Sequence, residues 1–175
     1  GSLASAVEKG QQYCGHILPA GLKRLDPLNP PLFTPTTKAS EGHDLPMTVQ
    51  EFTAATGQPL ANSAMDVTRQ IFIIANEIAK KSGMTILDTK FEGGSQDEGF
   101  VLADEVLTPD SSRYATDEAV EAARATGKNP VSFDKQPVRD WMAQELQVSP
   151  DTALTDEVIE KVHSANIPET VIADT

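Results

Sequence analysis

Apolar residues recur at spacings of three and four over the stretch 59–82, at Met65, Ile71, Phe72, Ile74, Ala75, Ile78 and Ala79. That period predicts a long amphipathic helix from Pro59 to about Ser82, with these side chains as its core stripe. Pro59 suits a first helical turn and Gly83 suits the stop. Thr48-x-x-Glu51 predicts a capping box that opens a short helix ending near Gly57. Shorter helices are predicted over Leu3–Gln11 (capped by Ser2), from Thr116-Asp117 to about Thr126 before Gly127, and from Pro137 to about Gln147. In that last helix Val138, Trp141, Met142 and Leu146 share a face. A final helix is predicted over Val158–Ala165, capped by Thr155 and closed before Pro168. Cys14–Arg24 reads as irregular, and the proline-rich Asp26–Pro35 as extended, with a short edge strand at Leu32–Thr34.

The pattern changes between Thr85 and Arg113, TILDTKFEGGSQDEGFVLADEVLTPDSSR. Alternation here predicts two strands joined by a Gly/Asp-rich loop, then a tight turn over Thr108–Arg113. Asp88, Lys90 and Glu92 share one face of the first strand, opposite Thr89 and Phe91. Phe100, Leu102 and Asp104 share a face of the second, opposite Val101, Ala103 and Glu105. Carboxylates at neighbouring strand ends can share a hard divalent ion, which prefers oxygen donors; an ordinary solvated hairpin accounts for the same pattern. The expected architecture is α+β, one lobe over residues 1–175. A small antiparallel sheet holding the hairpin packs on the Pro59–Ser82 and Pro137–Gln147 helices.

Composition narrows the function. The 175 residues carry 26 acids against 14 lysines and arginines, a formal charge of −12. That balance opposes nucleic acid or an anionic membrane as partner. The one cysteine, Cys14, rules out an intrachain disulfide framework and suits a reducing compartment. The longest strongly apolar run, Ile71–Ala75, is too short to span a bilayer. The sequence holds no G-x-x-x-x-G-K-[ST], G-x-G-x-x-G, H-E-x-x-H or C-x-x-C motif, and Ser111-Ser112 lacks a G-x-S-x-G context. A cation in the first turn of a helix is disfavoured by the helix dipole, so Arg139, four residues after Lys135, suggests an anion held between them; an ordinary exposed arginine accounts for the same position.

Several polar clusters, in this order and spacing, resemble one family. Gly-Ser-Leu at the start, FTPTTKASEGHD, DTKFEGG, LADEVLTPDSSR and SFDKQPVRDW are similar to the C-terminal part of phosphoribosylaminoimidazole-succinocarboxamide synthases, the SAICAR synthetase family. The resemblance spans nearly the whole chain. It implies a cytoplasmic, ATP-dependent ligase of purine biosynthesis that joins carboxyaminoimidazole ribotide to L-aspartate. It further implies a partner N-terminal lobe, mostly β, which covers ATP and has no counterpart in these residues. Without it, the chain could instead be a non-catalytic module that binds the ribotide.

Residue by residue, the resemblance implies that Glu92 and Asp104 hold magnesium beside the ATP phosphates. Lys38 and Lys90 would orient the reacting carboxylate and phosphoryl group, and Asp44 would lie near the imidazole ribotide and a second ion. Arg113, Lys135 and Arg139 take the ribotide phosphate, with Ser2 and Ser112 as auxiliary donors, and Asp110 orders the aspartate side. Positioning and electrostatics would then do the chemistry, without a covalent enzyme intermediate.

Overall fold

The computed structural model describes residues 3–39, 43–97, 99–148, 152–153, 155–169 and 171. Ser2, expected as a helix cap and a ribotide contact, lies outside them. In chain order the elements are α1 (Leu3–Lys9), α2 (Val49–Thr56), α3 (Gln58–Lys80), β1 (Met84–Thr89), β2 (Glu92–Gln96) and β3 (Gly99–Ala103). They continue with β4 (Ser112–Thr116), α4 (Asp117–Thr126), α5 (Gln136–Trp141) and α6 (Asp156–His163).

Local chemistry sets the helix ends. Thr48 Oγ1 accepts from the Glu51 amide at 3.1 Å, and Glu51 Oε2 accepts from the Thr48 amide at 2.7 Å, so the capping box closes in both directions. Thr116 and Thr155 cap α4 and α6 with their hydroxyls, which accept from Ala119 N–H and Val158 N–H. Gly127 ends α4 at φ 69°, a left-handed conformation that suits glycine. The Pro137–Gln147 helix is not uniform: α5 gives way to a π-helical turn over Met142–Leu146. Its expected face, Val138, Trp141, Met142 and Leu146, is half-buried throughout.

The hairpin reading requires correction. Two separate two-stranded antiparallel sheets form, β1 with β4 and β2 with β3. The first expected strand is thus divided: Met84–Thr89 pairs with Ser112–Thr116, and only Glu92 onward pairs with Gly99–Ala103. Ser112 and Arg113, expected in a turn, are strand residues. Register explains the division. A bulge between Ile86 and Asp88 moves β1 one residue along β4, so Asp88 faces Arg113 and Thr89 faces Ser112. The segment Leu32–Thr34 forms no strand; instead Thr36 bridges Pro46, with Thr37 N–H donating to Leu45 O at 2.9 Å.

Helix α3 contacts both sheets, through β1 and β3. Asn76 clamps β1 from it: its Oδ1 accepts from Ile86 N–H at 2.9 Å and its Nδ2 donates to Ile86 O at 3.3 Å. Ser63 Oγ accepts from Phe100 N–H at 3.1 Å on β3. Helix α4 lies against β4 and β1, whereas α5 chiefly contacts its own π-helical continuation rather than a sheet, contrary to expectation. Among the described residues the core is made of small side chains, including Ala61, Ala64, Ala115, Val120 and Ala123 with Ile86.

The α3 stripe is only partly core. Ala61, Ala64 and Thr68 are buried, but Ile74 is 54% and Ile78 61% exposed. With Ile86, Leu107 and Tyr114 they border a shallow apolar groove. Helical periodicity identifies an apolar face; it does not say how much of that face is covered.

Gly93 and Gly94 offer a direct check of the β2–β3 packing. A Cβ on Gly93 would run into the Phe100 ring and stand 2.6 Å from Val101 O, whereas one on Gly94 meets nothing within 4 Å. Gly93→Ala should cost about 1–3 kcal/mol and lower the thermal midpoint by several degrees. Gly94→Ala should leave the midpoint nearly unchanged, as thermal melts of the two variants would show.

Candidate active site

Four of the expected residues come together through ion pairs. Lys38 follows the Thr36–Pro46 bridge on one side and Asp44 precedes it on the other. Lys90 and Glu92 sit where the chain passes from β1 to β2. Lys38 Nζ donates to Glu92 Oε2 at 2.6 Å and Oε1 at 2.8 Å. Lys90 Nζ stands 2.8 Å from Glu92 Oε1 and 3.2 Å from Asp44 Oδ2. Asp44 Oδ1 also accepts from the Ala39 amide at 2.8 Å. Two cations thus alternate with two carboxylates on the wall of one broad, open cleft.

The electrostatic consequence is mutual. The Ala39 amide, then the Lys90 ammonium, holds the Asp44 carboxyl below its ordinary range. Lys38 and then Lys90 do the same for Glu92, and Glu92 followed by Asp44 raises Lys90. The lowered Asp44 and Glu92 and the raised Lys90 are all charged near neutrality. Exposed pairs of this kind add little to folding stability, so they can exchange partners readily.

Asp104 is placed differently. Glu92 lies opposite Ala103 in the β2–β3 register, and Asp104 follows as the first residue beyond β3, at φ 63°. It does not border the cleft. Among the described residues no group of three or more His, Cys, Asp or Glu side chains is arranged to hold a metal. Magnesium bound with phosphate oxygens needs only one or two carboxylates, however. The chemistry of the donors fits: Glu92 is a carboxylate on the cleft wall, and hard divalent ions take carboxylate oxygens.

A second set surrounds β4. Arg113 engages Asp88 across the register through a two-point fork, with Nε 2.8 Å from Oδ1 and Nη2 in contact with Oδ2. Asp88 first, opposed by burial and then aided by the buried Asp134, leaves Arg113 more firmly protonated than usual. Lys135 pairs with Asp110 at 2.8 Å and depresses its carboxyl, with Arg139 acting in the same direction from α5. Phe133 N–H donates to Tyr114 O at 2.7 Å, which ties the 132–135 segment beside β4. Arg113 borders the cleft, but Asp110, Lys135 and Arg139 do not. Ser112 is 3% exposed, and its hydroxyl meets Thr89 Oγ1 at 2.8 Å and Ser111 Oγ at 3.4 Å.

Sequence reasoning did not single out Asp88 or Asp134 for a role. Asp88 could have been found by placing β4 opposite β1. Nothing local in Ser132-Phe133-Asp134 signals that Asp134 is buried.

Comparison with known proteins gives the family of the chain. Residues 1–155 match the family described as SAICAR synthetase, and the chain belongs to that family. It is 41% identical over 175 residues to phosphoribosylaminoimidazole-succinocarboxamide synthase of Leptothrix cholodnii, covering 94% of this chain and 57% of that protein. The enzyme of the same name from Schizosaccharomyces pombe is 40% identical over 165 residues, 91% of this chain and 53% of the relative. Among solved structures, SAICAR synthase from Saccharomyces cerevisiae, in complex with SAICAR, matches with a TM-score of 0.67 at 28% identity. That match covers 97% of this chain and 53% of the yeast chain. The chain therefore spans about half the length of the curated relatives it matches.

The shared lysine predicts a pH response. Groups depressed in the folded state stabilise it above the ordinary carboxylate range, about pH 4, and that contribution is lost as pH falls through their lowered values. Carboxyl titration by NMR should find Asp44 and Glu92 deprotonating below that range. Lys90→Met should move both upward, and only partly, because Ala39 and Lys38 remain.

Proposed function

We propose that this chain is the ribotide- and metal-binding part of an ATP-dependent carbon–nitrogen ligase. The reaction joins carboxyaminoimidazole ribotide and L-aspartate to give SAICAR, ADP and phosphate, in the cytoplasm. The observation that carries the reading is the Lys38–Glu92–Lys90–Asp44 network on the cleft wall of a chain from this family. Single-domain scaffolding does not call for alternating exposed charges; a site that receives polyanions does.

In this reading Lys38 and Lys90 leave their carboxylates for the substrate. Their ammoniums neutralise the ribotide carboxylate and the phosphoryl oxygens as the carboxylate oxygen attacks the γ-phosphorus and ADP departs. The amine of aspartate then attacks the activated carbon, phosphate leaves, and the nitrogen gives up its proton. A well-placed donor of this kind is worth on the order of 3 kcal/mol at the barrier. Asp44 lies beside the imidazole, and Asp110, kept ionised by Lys135, orders the aspartate side. Arg113, Lys135 and Arg139 serve the ribotide phosphate, with Ser2 as a further donor and Ser112 placed behind Arg113. Glu92 and Asp104 would hold magnesium, which when bound neutralises nucleotide phosphate charge. A second lobe over the nucleotide completes the site.

The length covered favours one other reading, a ribotide-binding part with no turnover of its own. ADP release separates the two. With ribotide, aspartate, ATP and magnesium, the ligase reading expects release that depends on aspartate, and the binding reading expects none while SAICAR still binds.

Calorimetric titration with SAICAR tests the site itself. Saturable one-to-one binding is expected, and Arg113→Met should weaken it about tenfold or more, as the loss of a charged hydrogen bond implies. Absence of binding by the unaltered chain would contradict the proposal. Magnesium should strengthen ADP binding, and Glu92→Gln with Asp104→Asn should remove that enhancement.

A further inference from the structure

Beyond the bulge in β1, two neighbouring cross-strand pairs alternate in direction as strand residues do. Asp88 and Arg113 are exposed at the cleft, while Thr89 is half-buried at its wall and Ser112 is buried behind it. Thr89 immediately precedes Lys90, and Ser112 immediately precedes Arg113. Their hydroxyls meet at 2.8 Å, with Ser112 buried. The ladder continues one step further, Lys90 N–H donating to Ser111 O at 2.8 Å. From Ser112 a line of hydroxyls runs on through Ser111, 3.4 Å away, to Thr108, a further 3.2 Å. Thr108 in turn donates to Glu105.

We propose that Thr89, paired with Ser112, is a positioning residue that sets the separation of Lys90 from Arg113. The inference rests on the functional reading above, in which those two cations serve opposite ends of one ribotide. It also moves Ser112 from auxiliary ligand to support. The physical argument is register. A bulge leaves local freedom to slip, and a slip by one residue would exchange the faces of Asp88, Thr89 and Lys90. The hydroxyl pair penalises that slip, because the buried Ser112 would lose its partner away from water. Backbone pairing alone carries no such preference, since every register offers amides and carbonyls.

Four proteins test this: the unaltered chain, Thr89→Val, Ser112→Ala and Thr89→Ser. The first measurement needs no ligand, hydrogen exchange at the Arg113 Nε–H by NMR, which reports the fork to Asp88. The second is SAICAR affinity by calorimetry, where stoichiometry gives the competent fraction and affinity gives the geometry. Thr89→Val and Ser112→Ala should each speed Arg113 exchange about tenfold and weaken SAICAR about tenfold at unchanged stoichiometry. Thr89→Ser, which keeps the hydroxyl, should stay within about twofold of the unaltered chain in both. Unchanged exchange in folded Thr89→Val and Ser112→Ala, with only lower melting points, would overturn the proposal and leave the pair a structural contact. If the unaltered chain does not bind SAICAR while exchange still responds as expected, the functional reading fails and the positioning role stands.

Discussion

The pairing of β1 with β4 governs where the charged groups of this fold can stand. Strand side chains alternate, so the bulge at Ile86–Asp88 resets every face after it. From that point Asp88 and Arg113 share the cleft side, and Lys90 emerges next to them at the start of the crossing to β2. Helix α3 fixes β1 through Asn76, and Thr85 Oγ1 donates to Asp117 Oδ1 at 2.6 Å, fastening the far end of the same strand to α4. A backbone hydrogen bond from Phe133 ties the 132–135 segment to β4. One short ladder thus sets the places of the arginine, the crossing lysine and the Asp110–Lys135 pair.

The charges it places are held loosely by design of their surroundings. Lys38 and Lys90 are largely exposed and their carboxylates only partly covered, so water weakens each attraction. A core made mainly of alanines and small aliphatics supplies the rigidity instead. This division suits a site where phosphates and carboxylates must displace existing partners: the backbone stays fixed while side-chain ion pairs exchange. A deeply buried network would resist that exchange, because breaking it strands an unpaired charge.

How much of this the sequence discloses depends on the range of the interaction involved. The capping box at Thr48–Glu51, the stop at Gly127 and the helical span from Gln58 to Lys80 are local, and local residue chemistry announces them. Strand β4 is hidden because Ser-Arg-Tyr-Ala-Thr offers little alternation and runs directly into a helix cap. The exposure of Ile74 and Ile78 is hidden for another reason: periodicity describes a face and is silent on its cover. Convergence is the least legible of all. Lys38 and Glu92 are 54 positions apart, and Lys90 and Asp44 are 46, so no spacing rule joins them. The family resemblance grouped those residues, and the ladder and the Thr36–Pro46 bridge supply the physical reason for that grouping. The functional assignments of Asp104, Asp110, Lys135 and Arg139 rest on the resemblance more than on the cleft wall.

The most direct measurement is a crystal structure of the chain grown with SAICAR. The account predicts the sugar phosphate within hydrogen-bond distance of Arg113, with the succinocarboxamide group at Lys38 and Lys90 and those lysines drawn away from Glu92. SAICAR seated elsewhere, with the Lys38–Glu92–Lys90–Asp44 network unchanged, would contradict it.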